Sequence, residues 1–476
     1  MRAHARATAD GQPPAMSAAI EDAPLWLAGG MRFDPDTSAA LDDALASAAT
    51  SSTRVSSDSS LHATWSSTYE HPEAEAYDAM VEHEERASKY EAAIRQRLAR
   101  QERELVVLDI GTGPFALLAL IAARAGAKRV YAIEASPWAA RLARACVERA
   151  CDVPSGVVSV IEGLSTDVTL PEKADLLVAE LVGSVASDEG LVATMRDAVE
   201  RLVKRPNDPA SYIPVRCQTM CAPAAYALHY LLTPPRFDWA DGLNGQAVRT
   251  PCWDTAVQPL CAPQMLEDIA FHEPLPPPRP SQHIAEASTP QARSTLEFTV
   301  STARTAHASA CYLATLRRER LSEASASPLA AAMARTLSGL ACWPRLELDV
   351  DGEIVIESRG PNGEAVHRSE HATHWQTVLP LLAPRPLTVA PGDTVRLTVD
   401  VQSSLRVEEP TRYELMGEVV RTLEAPVVLR RHAAKARGDD HDEHIHTSME
   451  AEADGMEYAL VVEPRAVMIT GEALGP

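Results

Sequence analysis

Four short apolar runs, ELVVLDI (residues 104–110), RVYAIEA (129–135), VVSVIEG (157–163) and ADLLVAEL (174–181), interrupt an otherwise mixed text. Each is continuous rather than alternating, the pattern of strands buried on both faces. Helices are predicted after the first two runs, near 116–125 and 137–150. Strand and helix therefore alternate, which is the signature of a doubly wound α/β unit with a parallel sheet. Upstream, 72–104 carries a helical period: Tyr77, Met80, Val81, Ala87, Tyr90, Ile94 and Leu98 share one face, with charges opposite. After Ile213-Pro214 the pattern shifts to RCQTMCAPA, LEFTVSTA, LELDVDGEIVIES, WQTVLPL, LTVAPGDTVRLTVDV and YALVVEP, read as strands of an antiparallel domain. Between 226 and 287 prolines are frequent and no period holds, which marks an arm or an insertion. Residues 1–62 are rich in Ala, Ser and Thr and are expected to be disordered. The expected organisation is a disordered segment 1–62, an α/β domain 63–214 and a β-rich domain 215–476.

Composition narrows the partners. A chain of 476 residues has room for two domains, each with its own core. Its 66 acidic and 44 basic residues leave a net charge of −22. That balance disfavours direct binding to nucleic acid or to an anionic membrane and favours cationic partners. No run approaches the roughly 20 apolar residues of a membrane span. Eight cysteines are scattered without a CxxC pair or a neighbouring His to complete a zinc site. Reduced thiols in the cytoplasm or nucleus are the expectation. GDDHDEHIH (438–446) has metal-capable side chains but no second ligand cluster, and reads as a solvated acidic loop, so no metal is expected.

Candidate chemistry gathers at two places. VLDIGTGPF follows the first strand and opens a helix, the context of a nucleotide-binding turn. Gly111 and Gly113 would let the backbone approach a ligand. Glu134, about 20 residues on at the end of the next strand, would accept bonds from ribose hydroxyls. Gly111, Gly113 and Ala116 also satisfy the G-x-G-x-x-A form, which keeps an NAD-dependent oxidoreductase as an alternative. Asp109 favours S-adenosyl-L-methionine: a carboxylate there crowds a pyrophosphate but tolerates sulfonium and ammonium groups. The second place is ELVGSVASDEG (180–190). On a helix Glu180 and Glu189 would face opposite ways, because nine residues rotate through about 900°. Only a reversal at Gly183, Ser184 and Ser187 would bring them together. Paired carboxylates repel unless a cation lies between them.

VLDIGTG, AGAKRVYAIEAS, STDVTLPEKADLLVAELVGSVASDEG, YIPVRCQTMCAPA and THWQTV, in that order, resemble segments of the protein arginine methyltransferases over residues 72–430. The resemblance implies a Rossmann-like methyltransferase domain followed by a β-barrel, with a dimerisation arm inserted near 226–287, and hence a homodimer. It implies S-adenosyl-L-methionine as cofactor and methyl transfer to arginine in basic proteins, histones or RNA-binding proteins among them. Glu180 and Glu189 match the pair that grips the guanidinium. His374 and Trp375 match the THW segment beside them, His374 as a catalytic residue and Trp375 on the substrate side. Tyr77, Met80 and Arg86 match the helix over the cofactor, with Arg86 binding its carboxylate. The bland alternative for Arg86 is a surface arginine paired with Glu82, Glu84 and Glu85, whose removal barely moves stability. Leu164 and Ser165 match positions flanking the adenine. Two departures, Pro114-Phe115 in the glycine loop and His83 in place of an acid, motivate a second reading as a catalytically weak scaffold. Branch signals conflict, which leaves the product pattern open. ELVGSVASDE, PEKAD and PLTVAPGDTV look like the symmetric-dimethylating branch, THW and Met80 like the asymmetric or monomethylating branches, and STDVTL like the monomethylating one.

Overall fold

Helix α1 (Glu84–Ala99) is built on a four-residue stripe: Arg86, Tyr90, Ile94 and Leu98 are all buried on one side. The computed structural model describes residues 84–100, 104–232, 237–243, 246–276, 294–366, 373, 375–403, 406–407, 411–421, 427–429 and 458–462. Tyr77, Met80, His83, His374, the segment 1–62 and the acidic run 438–446 lie outside the described residues.

The parallel sheet forms as the apolar runs predict. It comprises β1 (Val106–Ile110), β2 (Arg129–Glu134), β3 (Val158–Glu162), β4 (Leu176–Ala179) and β5 (Tyr212–Ile213), in the order β3-β2-β1-β4-β5. Between them run α2 (Leu117–Arg124), α3 (Pro137–Arg149) and α4 (Leu191–Arg201). Ser136 caps α3 by accepting the Ala139 N–H, with Pro137 at the first helical position. The strand order reverses between β1 and β4, where Ile110 lies in register with Ala179. In such sheets the crevice beyond the carboxyl ends of the strands at this switch point takes the ligand.

The second half is antiparallel. One sheet runs β7 (Val248–Pro251), β14 (Gln376–Leu379), β12 (Gly339–Glu347), β6 (Arg216–Tyr226) and β8 (Val257–Pro259). Its β6 also pairs β9 (Gln264–Ala270), and its β12 pairs β13 (Val355–Glu357). Another runs β10 (Ser294–Thr299), β16 (Thr394–Gln402), β17 (Arg412–Val420) and β18 (Val427–Leu429), with β19 (Tyr458–Val462) also on β17. A short pair, β11 (Thr336–Leu337) and β15 (Leu387–Thr388), completes the set.

Three features go beyond the sequence expectations. Within the segment expected as an arm, residues 248–270 contribute β7, β8 and β9 to the antiparallel sheet, after two short helices, α5 (Ala227–Leu231) and α6 (Trp239–Leu243). Cross-strand partners in β6 and β14 stabilise these strands, and their proline-rich text hides that pairing. LEFTVSTA is strand only to Thr299; Ser301 then caps α7 (Thr302–Arg318), which packs on α8 (Glu323–Met333). The buried Thr305, Ala308, Tyr312, Thr315 and Leu316 show the helical period that marks it. The halves also share a core: Cys217, Ile269, Phe271, Leu346 and Trp375 belong to the same buried cluster as the parallel sheet. Among the described residues no helix is long and apolar enough to cross a membrane.

Candidate active site

The glycine turn leaves β1 at the switch point. Gly111 has φ 75° and a Cβ there would sit 2.6 Å from Leu181, the residue after Glu180, so only glycine fits. Gly113 has φ 66° and its N–H donates to Glu134 Oε2 at 2.9 Å. The other oxygen of Glu134 accepts the Ser136 N–H at 2.8 Å, so this acid holds the turn that it was expected to complement. Where the sequence has Pro114-Phe115, the left-handed backbone falls on Ala116 at φ 47°, an uncommon conformation for a residue with a Cβ.

Asp109 is fully buried. Its Oδ2 accepts the Thr112 hydroxyl at 2.6 Å, and its Oδ1 has no hydrogen-bond partner. Burial lifts its carboxyl to about 7, and the Thr112 bond holds it back. Leu164 and Ser165 follow β3, whose last residue, Glu162, lies in register with Glu134. Asp109, Gly111, Gly113, Glu134, Leu164 and Ser165 thus collect along the carboxyl ends of β1, β2 and β3.

Glu180 follows β4 directly. Arg86 Nη1 donates to its Oε2, each side chain being 8% exposed, while its Oε1 is buried without a partner. Desolvation raises the Glu180 carboxyl, and the Arg86 charge opposes the rise. Arg86 is therefore a buried contact of the candidate site and not a surface arginine. Its place four residues before Tyr90 is the signal that could have shown this, where the sequence reading set charges opposite the stripe. Tyr90 fixes α1 against the strand end through its hydroxyl, which donates to the Ala179 carbonyl at 3.1 Å.

The chain then reverses, as the spacing required. A Cβ on Gly183 would meet Asp188 Cβ at 2.7 Å and Glu189 Cγ at 3.2 Å, so the two limbs of the loop touch at that glycine. Glu189 keeps accessible surface, yet protein surrounds it closely enough for desolvation to push its carboxyl up to about 7. Glu180 and Asp188 add to the rise; Arg249 and Arg86 oppose it. Accessible surface decides whether a solute reaches the group, and by that measure Glu189 is open. Trp375 lies beneath the loop, buried, with its indole N–H on the Val182 carbonyl at 2.7 Å; the Gln376 N–H reaches Ser184 Oγ at 2.9 Å.

Several residues of the site were not singled out from sequence. Asp188 pairs with Arg249 of β7 at 2.9 Å. Ser187 Oγ donates to Glu267 Oε1 of β9 at 2.7 Å and lies 2.5 Å from the Tyr413 hydroxyl of β17. Ser187 was read as part of the reversal and Asp188 has a local signal in its place beside Glu189, whereas Arg249, Glu267 and Tyr413 are more than 60 residues from their loop partners.

Fold and site together define a parallel α/β half with a glycine turn at its switch point and a carboxylate pair beside it, followed by an antiparallel barrel. No protein-family model matches the chain. Over 119 residues it is 39% identical to protein arginine N-methyltransferase PRMT10 of Oryza sativa subsp. japonica, covering 25% of this chain and 30% of that protein. Protein arginine N-methyltransferase 7 of Drosophila mojavensis is 40% identical over 140 residues, 28% of this chain and 19% of that one. The chain spans less than a third of the length of these curated relatives. Among solved structures, Arabidopsis thaliana protein arginine methyltransferase 10 has a TM-score of 0.53 at 17% identity, covering 81% of this chain and 97% of its own. The Trypanosoma brucei PRMT1 enzyme–prozyme heterotetrameric complex with AdoHcy gives 0.52 at 15%, covering 82% and 98%. Over about a quarter of its length the chain is thus similar in sequence to protein arginine N-methyltransferases, and it has the fold of the solved ones, a Rossmann-like domain with a barrel.

Proposed function

We propose that the chain is an S-adenosyl-L-methionine-dependent protein-arginine N-methyltransferase. The observation that carries this reading is the carboxylate pair: Glu180 Oε1, buried without a partner, beside the reachable carboxylate of Glu189. A guanidinium supplies a planar fork of donors that suits two carboxylates. When bound, S-adenosyl-L-methionine supplies an electrophilic methyl group. The glycine turn, Glu134, Leu164, Ser165 and the unpartnered Asp109 Oδ1 suit its adenosine and cationic groups, and Arg86 would reach its carboxylate. Tyr77 and Met80 would close over it, and His374 would flank the substrate side, while Trp375, expected there too, supports the carboxylate loop from beneath. Glu180 and Glu189 orient one terminal guanidinium nitrogen and stabilise positive charge as it grows. With its carboxyl raised to about 7, Glu189 is also suited to take the proton that nitrogen sheds.

Substrates are arginine-rich basic proteins, histones or RNA-binding proteins among them, which the net charge of −22 would draw in. Eight unpaired cysteines support a reducing compartment, the cytoplasm or nucleus, and the family fold supports a homodimer. Incubation with methyl-labelled cofactor and an arginine-rich peptide, then mass spectrometry of the methylarginine formed, tests the activity and fixes the product pattern. The strained Ala116 beside Pro114-Phe115 favours the scaffold as second reading. Calorimetry with S-adenosylhomocysteine separates the two, since absence of heat at millimolar ligand supports the scaffold. NAD titrated in the same instrument tests the oxidoreductase alternative.

A further inference from the structure

The middle of the carboxylate loop is held by a buried hydrogen-bond chain that methyl transfer itself does not require. The Ala186 N–H donates to Thr219 Oγ1 at 2.9 Å, so the Thr219 hydroxyl spends its own proton on Glu267 Oε2 at 2.5 Å. Ser187 Oγ donates to Glu267 Oε1 and lies 2.5 Å from the Tyr413 hydroxyl, which is itself hydrogen-bonded to Glu267. Thr411 Oγ1 adds a bond to the Ser187 carbonyl at 3.1 Å. The hydroxyls converge on the Glu267 carboxyl group, which is buried in the barrel and is bonded from β6, from the loop and from Tyr413 of β17. A buried carboxylate costs desolvation, and an apolar pair would join β6 to β9 at least as well. Sheet cohesion explains the Thr219 bond, since Thr219 and Glu267 are cross-strand partners. It does not explain Ser187.

We propose that Glu267 is a positioning residue for methyl transfer: through Ser187 it sets where Glu189, two residues on, stands relative to Glu180. This rests on the guanidinium reading above. Asp188, between them, is pinned separately by Arg249, so the Glu267 bond controls the loop's approach and not its existence.

The test is a double-mutant cycle of Glu267→Gln and Ser187→Ala in the full chain, with an arginine-rich peptide as substrate. Glutamine keeps the shape of Glu267 but places an amide where one hydroxyl needs an acceptor. Ser187→Ala cuts only the loop end and leaves the Thr219 bond in place, so it answers even if Glu267→Gln folds poorly. Each variant should lower kcat by about ten- to a hundredfold, the scale of a small misplacement. S-adenosylhomocysteine affinity should stay within about twofold, and the double variant should be no worse than the weaker single one. Amide hydrogen exchange at Ala186 and Asp188 should speed up in both. Unchanged kcat in Ser187→Ala, or losses that multiply, would overturn the proposal. If the wild type forms no methylarginine, the activity reading fails instead. Exchange then judges Glu267 alone, and unaltered protection at Ala186 and Asp188 in both variants would overturn its role in holding the loop.

Discussion

Glu180 leaves a strand buried on both faces and meets an arginine from α1, whereas Glu189 sits at the far end of a loop tied down by β6, β7, β9 and β17 of the barrel. The first is fixed by the α/β half alone. The second is fixed by the packing of one half on the other, through Arg249, Glu267, Thr219 and Tyr413, with Val407 against Gly190. Spacing between the two carboxylates is therefore a property of the interface, and small shifts of the barrel alter it without touching the cofactor cradle. Their surroundings differ for the same reason: Glu180 has a guanidinium bonded to it, while Arg249 bonds Asp188 and acts on Glu189 by charge alone.

The largest effect that probes this contrast comes from neutralising each acid in turn. Glu189→Gln should lower turnover by about a hundred- to a thousandfold, as loss of a preorganised electrostatic partner does, and leave S-adenosylhomocysteine affinity unchanged. Glu180→Gln should lower turnover comparably and also weaken that affinity, because Arg86 loses its partner. Calorimetry that finds equal affinity losses in both variants breaks the distinction.

Arg86→Ala follows. Cofactor affinity should fall about ten- to a hundredfold, the worth of one charge-assisted bond, while adenosine, which has no carboxylate, binds as before. A surface arginine would leave stability nearly unmoved. Because Arg86 and Glu180 form a buried pair, orphaning the acid should instead cost about 3–5 kcal/mol in chemical denaturation.

A smaller effect concerns pH. Gripping a cation requires ionised Glu189, so kcat/KM should fall as pH drops through about 7, the value to which burial and its acidic neighbours raise this group. Arg249 opposes that rise, so Arg249→Gln should move the acid limb to higher pH. In the ligand-free protein the sign for stability is the reverse. A carboxyl raised in the folded state binds more protons there, so its contribution falls as pH climbs from the unfolded value of about 4.3 towards 7. A limb that stays put in Arg249→Gln would detach Glu189 from the barrel's charges.

The smallest effect is expected at Arg100–Asp351, which also joins α1 to the barrel half but with both side chains about half exposed. Arg100→Ala should shift the melting temperature by no more than about 2 °C, since solvent screens such pairs. A larger shift would mean that surface contacts, and not the loop network, hold the halves together.

Much of the α/β half was legible in the sequence. Continuous apolar runs and a 3.6-residue period are local signals, and they placed β1 to β4, α2 and α3 within a residue or two. The glycine turn was legible because Gly111 and Gly113 take backbone angles that few other residues tolerate. The barrel was less so. Strands β7 and β8 are short, end on proline and are stabilised by partners far along the chain, while the Ser301 cap and the period that mark α7 follow directly on a run read as strand.

The sequence by itself determined that two carboxylates nine residues apart can meet only across a reversal, since no helix could bring them together and the small residues between them permit the turn. It also placed Tyr90, Ile94 and Leu98 on one helix face, with charges opposite. Only the tertiary structure decided that this face ends on Glu180, that Glu134 holds the glycine turn, and that Glu267 and Tyr413 seat Ser187. Backbone periodicity is written into neighbouring residues. Hydrogen bonds between residues 80 to 226 positions apart exist only once the chain has packed.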